Sequence, residues 1–262
     1  MHYESLLYDV HDGVASITLD REKAANALDL QMAKDLMYAA LTADEDPDVR
    51  VVVIGAKGKM FCAGGDLASF ADAGDARPAL LKEITTYLHA AISRFARMDA
   101  PVIASVGGTA AGAGMSLACA ADLAVCGESA KFTMAYTRVG LTPDGSSTYY
   151  LPRLIGARRT LELMLTNRVL SAAEALEWGL VNQVVPNAEL EAATAKLAAS
   201  LVSGPTASYG ATKKLVLTSL GESLESQMEL ESRGIADAAR RHDGQEGIAA
   251  FLEKRKPDFK GR

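Results

Sequence analysis

Cysteine is scarce in this 262-residue chain, and the three present, Cys62, Cys119 and Cys126, show no C-x-x-C spacing. An odd set placed this way frames neither a disulfide scaffold nor a zinc site, and it suits a reducing cytoplasm. Histidine is equally sparse. His2, His11, His89 and His242 stand singly, none with a partner at metal spacing, so no metal is expected and all four read as structural or surface residues. A cationic excess is missing too: 33 Asp and Glu against 27 Lys and Arg leave a formal charge of -6, which disfavours nucleic acid or an anionic membrane as partner. The start of the chain, MHYESLLYDVHDG, lacks the basic-then-apolar order of a secretory signal. The charge-free run between Asp99 and Asp122 is broken by Pro101 and four glycines, so it reads as a buried strand followed by a buried helix rather than a membrane span.

What is present is an α/β pattern of ordinary globular composition, 49% hydrophobic and 23% charged. Residues 5–10 and 14–19 are β-rich runs separated by His11-Asp12-Gly13, which predicts a hairpin. Asp29 is placed to cap a helix carrying Leu30, Ala33, Leu36, Met37, Ala40 and Leu41 on one face. The run 49–54 is the most strand-like in the chain, and an apolar strand between helices implies a parallel, two-sided sheet. Residues 71–77 read as a polar link, 79–98 as a long amphipathic helix ended by Pro101, and 102–106 as the next strand. Six further helices are expected over 157–165, 172–178, 188–201, 206–220, 224–241 and 244–255, with one short apolar run at 181–185.

Two small-residue loops stand out, each immediately after a strand and before a helix. The first is Met60-Phe61-Cys62-Ala63-Gly64-Gly65-Asp66-Leu67, in which Asp66 also suits a helix cap. The second runs through Gly107, Gly108, Gly112, Ala113 and Gly114 into a helix whose first turn reads as 115–118. Ligands collect at the carboxyl ends of strands in α/β sheets, and a helix start offers N–H groups to an oxygen that becomes negative. Neither loop carries a nucleotide-binding glycine fingerprint.

FCAGGDL, AAGAGMSLA, SAKFTMAYTRVGLTPDGSSTYYLPRLIG, LSAAEALEWGLVNQVVP, the early NAL and the terminal FLEKRKPDF together resemble the enoyl-CoA hydratase/isomerase (crotonase) superfamily over essentially the whole chain. AAGAG, AKFTMAY, GLTPD and LPR are most similar to its 2-(1,2-epoxy-1,2-dihydrophenyl)acetyl-CoA isomerase and enoyl-CoA isomerase group, from which Gly145-Ser146-Ser147-Thr148-Tyr149-Tyr150 departs. The resemblance implies a crotonase (ClpP/crotonase-like) spiral of ββα units over residues 1–200 and a helical trimerisation region over 201–262. It implies an acyl-CoA thioester as substrate, no cofactor beyond the coenzyme A the substrate carries, and a homotrimer or dimer of trimers. By position, the backbone N–H groups of Cys62 and Ala113 become an oxyanion hole. Ala24 and Ala63, Gly64, Gly65, Asp66 and Leu67 lie along coenzyme A, and Lys254 meets its phosphate.

The hydratases that this chain resembles carry two glutamates, and the matching positions hold Ser116 and Tyr136. Holding and activating a water needs a carboxylate pair, for which a hydroxyl and a phenol are poor substitutes. Asp144, in Leu141-Thr142-Pro143-Asp144-Gly145, matches the single acid of the isomerases. The expectation is therefore a 1,3-proton shift in an unsaturated acyl-CoA with Asp144 as acid and base. The alternatives are a hydratase, or a non-catalytic acyl-CoA- or RNA-binding homologue, and the acidic charge balance argues against RNA.

Overall fold

The computed structural model describes residues 2–262. The hairpin forms as the sequence predicts, β1 (Leu6–His11) pairing antiparallel with β2 (Val14–Leu19), with Asp12 at φ 48° and Gly13 at φ 78° in its two-residue turn. Helix α1 (Leu30–Glu45) follows, with Asp29 accepting the Met32 N–H at its cap, and leads to β3 (Val51–Ala56), parallel to β2. Three residues later comes β4 (Met60–Cys62), which leaves that sheet for a second one.

Residues 71–77, expected as a link, are ordered differently. They close α2 (Leu67–Asp72), make a 3₁₀ turn over Gly74–Ala76 and enter α3 (Arg77–Arg97), whose second residue is Pro78. A proline at a helix start loses no hydrogen bond there.

The next turn of chain repeats the plan. Strand β5 (Val102–Val106) joins the large sheet, β6 (Thr109–Ala111) joins the small one, and α4 (Ala113–Ala120) follows. The charge-free run is thus a buried strand and a buried helix. Strands β7 (Leu123–Gly127) and β8 (Lys131–Thr133) make a third turn, followed by α5 (Ser147–Ile155) and α6 (Ala157–Thr166). Strand β9 (Leu170–Ser171) ends the small sheet, α7 (Ala172–Glu177) begins on a Ser171–Glu174 capping box, and β10 (Gln183–Val185) ends the large one. The orders are β1-β2-β3-β5-β7-β10 and β4-β6-β8-β9, so each turn gives one strand to each sheet, and the chain is a spiral of ββα units.

Helix α8 (Leu190–Val202) lies on the large sheet, where Leu190, Leu197 and Leu201 meet Val51, Ile103 and Val125. Helix α9 (Thr206–Thr218) is riveted to α3 by Lys213, which donates to the carbonyls of Phe95 and Ala100 at 2.9 Å each and pairs with Asp122 at 2.6 Å. Helices α10 (Leu224–Arg240) and α11 (His242–Glu253) complete the chain and expose Ile235, Phe251 and Leu252. No helix among the described residues is long and apolar enough to cross a membrane, and no cluster of three or more His, Cys, Asp or Glu side chains among them could hold a metal ion.

One guanidinium ties the first loops together. Arg21 reaches Asp29 at 2.9 Å and Asp66 at 3.0 Å, and donates to the Ala27 carbonyl, so it joins the caps of α1 and α2. Asn26 secures the same region from inside, its amide donating to the carbonyls of Lys57 at 2.9 Å and Met60 at 2.8 Å. The Arg21 Nη2 serves both carboxylates while Nη1 serves the carbonyl, a fork of donors at fixed angles that the single nitrogen of lysine does not reproduce. Arg21→Lys is expected to lower unfolding stability by about 1–2 kcal/mol in urea titration; a change of less than about 0.5 kcal/mol, the range of ordinary surface substitutions, would remove the fork from the account.

Candidate active site

Between β6 and α4 stands Gly112 at φ 49°, ψ -123°, a backbone conformation that a side chain disfavours. It offers no side chain to cap the helix, so the first N–H groups of α4, that of Ala113 included, have no intrahelical acceptor. The helix begins two residues earlier than the sequence predicts, because Ala113 and Gly114 belong to its first turn rather than to the loop. All eight of its residues are buried. A Cβ at Gly114 would fall 2.5 Å from both the Cβ and the carbonyl oxygen of Cys62, so the end of β4 and the start of α4 press directly together. Cys62 is itself buried, and burial pushes its thiol up to about 11 against the opposing Gly64 N–H, 3.4 Å from the sulfur. The thiol is therefore neutral filling at neutral pH, and the main chain is what this residue has to offer.

Asp144 sits in the turn before α5, fixed on every side. Its carbonyl accepts from Ser116 Oγ at 3.0 Å and Ser147 Oγ at 2.9 Å, and its Oδ1 accepts from the Tyr136 hydroxyl at 2.5 Å. The next N–H, of Gly145, donates to His89 Nε2 at 3.2 Å, which puts the neutral ring's proton on Nδ1. Gly145 at φ 59° and Ser146 at φ 64° are both left-handed. Tyr136 is aimed by another such residue, Ala135 at φ 51°, across which the Tyr136 N–H bonds back to the Met134 carbonyl at 2.6 Å. Non-glycine residues in this region carry strain, and here they flank the two groups that meet. Burial raises the Tyr136 hydroxyl far above the ordinary tyrosine range, and the charge and hydrogen bond of Asp144 raise it further.

These groups surround a cavity of about 330 Å³. Asp144, Tyr136, Ala113, Ala63, Gly64, Gly65 and Leu67 line it, and Asp144 is the one carboxylate among its lining residues. Phe70, Leu81, Ile84, Val139 and Leu141 supply apolar walls. Cys62 and Ser116 lie behind it, joined through Gly114 and Tyr136. Ala24, Asp66 and Lys254 do not line it. Ala24 ends a 3₁₀ turn, Asp66 is spent on capping α2 and pairing with Arg21, and Lys254 is exposed at the end of α11 with φ 54°. Sequence reasoning missed two contacts that hold the Asp144 turn, Tyr136 on Asp144 itself and His89 on the Gly145 N–H. Tyr136 stood only for a missing glutamate, and His89 only for a helix surface; the sequence carries no local sign of either contact, which joins residues 8 and 56 positions apart.

A sequence model of the enoyl-CoA hydratase/isomerase family matches residues 9–262. The chain is 38% identical over 263 residues to a Rhodobacter capsulatus protein named "Probable enoyl-CoA hydratase", with all of both chains covered. It is 35% identical over 260 residues to the 1,2-epoxyphenylacetyl-CoA isomerase of Escherichia coli, with 99% of each covered. Among solved structures, an enoyl-CoA hydratase from Bacillus anthracis superposes with a TM-score of 0.92 at 31% identity, covering 99% of this chain and 100% of that one. The chain belongs to the enoyl-CoA hydratase/isomerase family and has the crotonase fold.

The packing of Gly114 on Cys62 makes a direct prediction. Gly114→Ala should cost about 1–3 kcal/mol through overpacking, and should weaken acyl-CoA binding if the Cys62 and Ala113 N–H groups are the expected pair of donors. Cys62→Ala, which keeps the main chain, should leave binding within about threefold. Equal binding by wild type and the Gly114 variant in calorimetry would show that this contact does not set the donors.

Proposed function

We propose that this family member is an acyl-CoA isomerase that moves a double bond, or opens a ring epoxide, through a thioester enolate, with Asp144 as its acid and base. The observation that carries this reading is the single carboxylate. Ser116 and Tyr136 stand where the resembling hydratases have glutamates, and their hydroxyls meet each other, the Asp144 carbonyl and Asp144 Oδ1.

The thioester oxygen takes the N–H groups of Cys62 and Ala113, and coenzyme A runs along Ala63, Gly64, Gly65 and Leu67. Each oxyanion donor of this kind contributes about 3 kcal/mol when charge develops on the oxygen. Asp144 removes a proton from the carbon next to the thioester, and the electron pair spreads into the carbonyl and the adjacent double bond. The same carboxyl returns the proton two carbons further on. No net proton is gained or lost, so one acid–base group balances the reaction. Hydration would need a second group to orient the water, and the cavity offers no second carboxylate.

The proposal extends to assembly. Ile235, Phe251 and Leu252 are 75%, 83% and 74% exposed, and a second copy of the chain is the occupant that we propose for this C-terminal face, in a trimer or dimer of trimers. Phe251→Asp should shift the protein to smaller species in sedimentation, whereas unchanged sedimentation would place the contact elsewhere.

Asp144→Ala is expected to retain acyl-CoA binding and to lose isomerisation of a 3-enoyl-CoA by about 10²- to 10⁴-fold, followed by absorbance of the conjugated product. Unchanged turnover would remove Asp144 from the mechanism.

A further inference from the structure

Tyr136 is half-buried in the cavity wall and touches the carboxylate proposed to do the work. Its single proton lies toward Asp144 Oδ1 at 2.5 Å, and an ionised carboxylate can only accept. With that proton spent, the phenol oxygen faces Ser116 Oγ at 3.0 Å only as an acceptor, one of three oxygens that compete for the single serine proton. Ser116 is wholly buried, and its other neighbours are the carbonyls of Gly112 at 3.2 Å and Asp144 at 3.0 Å. Carbonyl oxygens end a chain of hydroxyls, since they have no proton to pass on. The Ser116–Tyr136–Asp144 series is thus closed at its inner end and is no wire to water.

We propose that Tyr136 is a positioning residue for this reaction, pinning Asp144 Oδ1 so that Oδ2 alone takes and returns the substrate proton. This rests on the isomerase reading above. The terminal torsion of an aspartate is broad and roughly two-fold, so an unpinned carboxylate turns among many orientations. Tyr136 removes that freedom. The phenol stays protonated through the neutral range because it is buried beside a negative charge, so the donor is always present. The backbone strain at Ala135, which aims the ring, is the cost of this arrangement. Ser147 holds the Asp144 carbonyl and His89 holds the following N–H, so the main chain cannot follow a rotating side chain. A single oxygen fixed on one side of the cavity also delivers both transfers to the same face of the acyl plane.

Tyr136→Phe keeps the ring and deletes only the donor. Assayed with 3-enoyl-CoA, the variant should lose about 10- to 100-fold in kcat, the worth of a hydrogen bond to a charged group, while KM changes by less than about threefold. Full kcat in this variant beside an inactive Asp144→Ala protein would overturn the positioning role and leave the isomerase reading standing. Inactive wild type would overturn that reading instead, so a second measurement needs no turnover. With ring-carbon-labelled tyrosine, the NMR line missing from Tyr136→Phe should titrate at lower pH in Asp144→Ala than in wild type. Identical titration in the two proteins would show that Tyr136 does not hold the carboxylate.

Discussion

The contact between the start of α4 and the end of β4 is the constraint on which the rest of this protein depends. A helix with all eight residues buried must find partners for its free N–H groups, and Gly112 gives it no cap. Small residues let it come close enough to Cys62 for two loops from successive turns of the spiral to share one cavity. The spiral makes that sharing possible, because each turn sends one strand to the large sheet and one to the small sheet before its helix. Arg21 and Asn26 then fix the outer loop, and Lys213 locks a later helix onto α3.

A scaffold of this kind does not choose its reaction. Relatives and solved structures like this chain are named as hydratases and as an isomerase, so the side chains in the cavity must decide. Here the decision rests on charge count. One carboxylate in a largely apolar wall that also carries Arg138, with a phenol and a hydroxyl turned toward it, supports moving a proton within a substrate better than adding water to one.

Much of this was legible because it depends on local pattern. The hairpin, the strand at Val51–Ala56, the Asp29 and Asp66 caps and the buried Ala113–Ala120 segment all follow from spacing and composition. The small sheet was legible only through family resemblance. Its strands are three residues long or shorter, too brief for a period of two to show. The start of α4 was placed late because glycine and alanine read as loop until packing makes them helix. The Tyr136–Asp144 bond was hidden for another reason. It depends on a left-handed alanine and on burial, and neither is written in the identity of the residues involved.

The central claim is that this site moves a proton and adds nothing. Incubation with a 3-enoyl-CoA and, separately, with the conjugated crotonyl-CoA in heavy water, each followed by mass spectrometry of the thioester, tests it. The 3-enoyl-CoA should return with its double bond moved, at unchanged mass or heavier only by exchanged deuterium, and crotonyl-CoA should gain no water. A product heavier by a whole molecule of heavy water would contradict it.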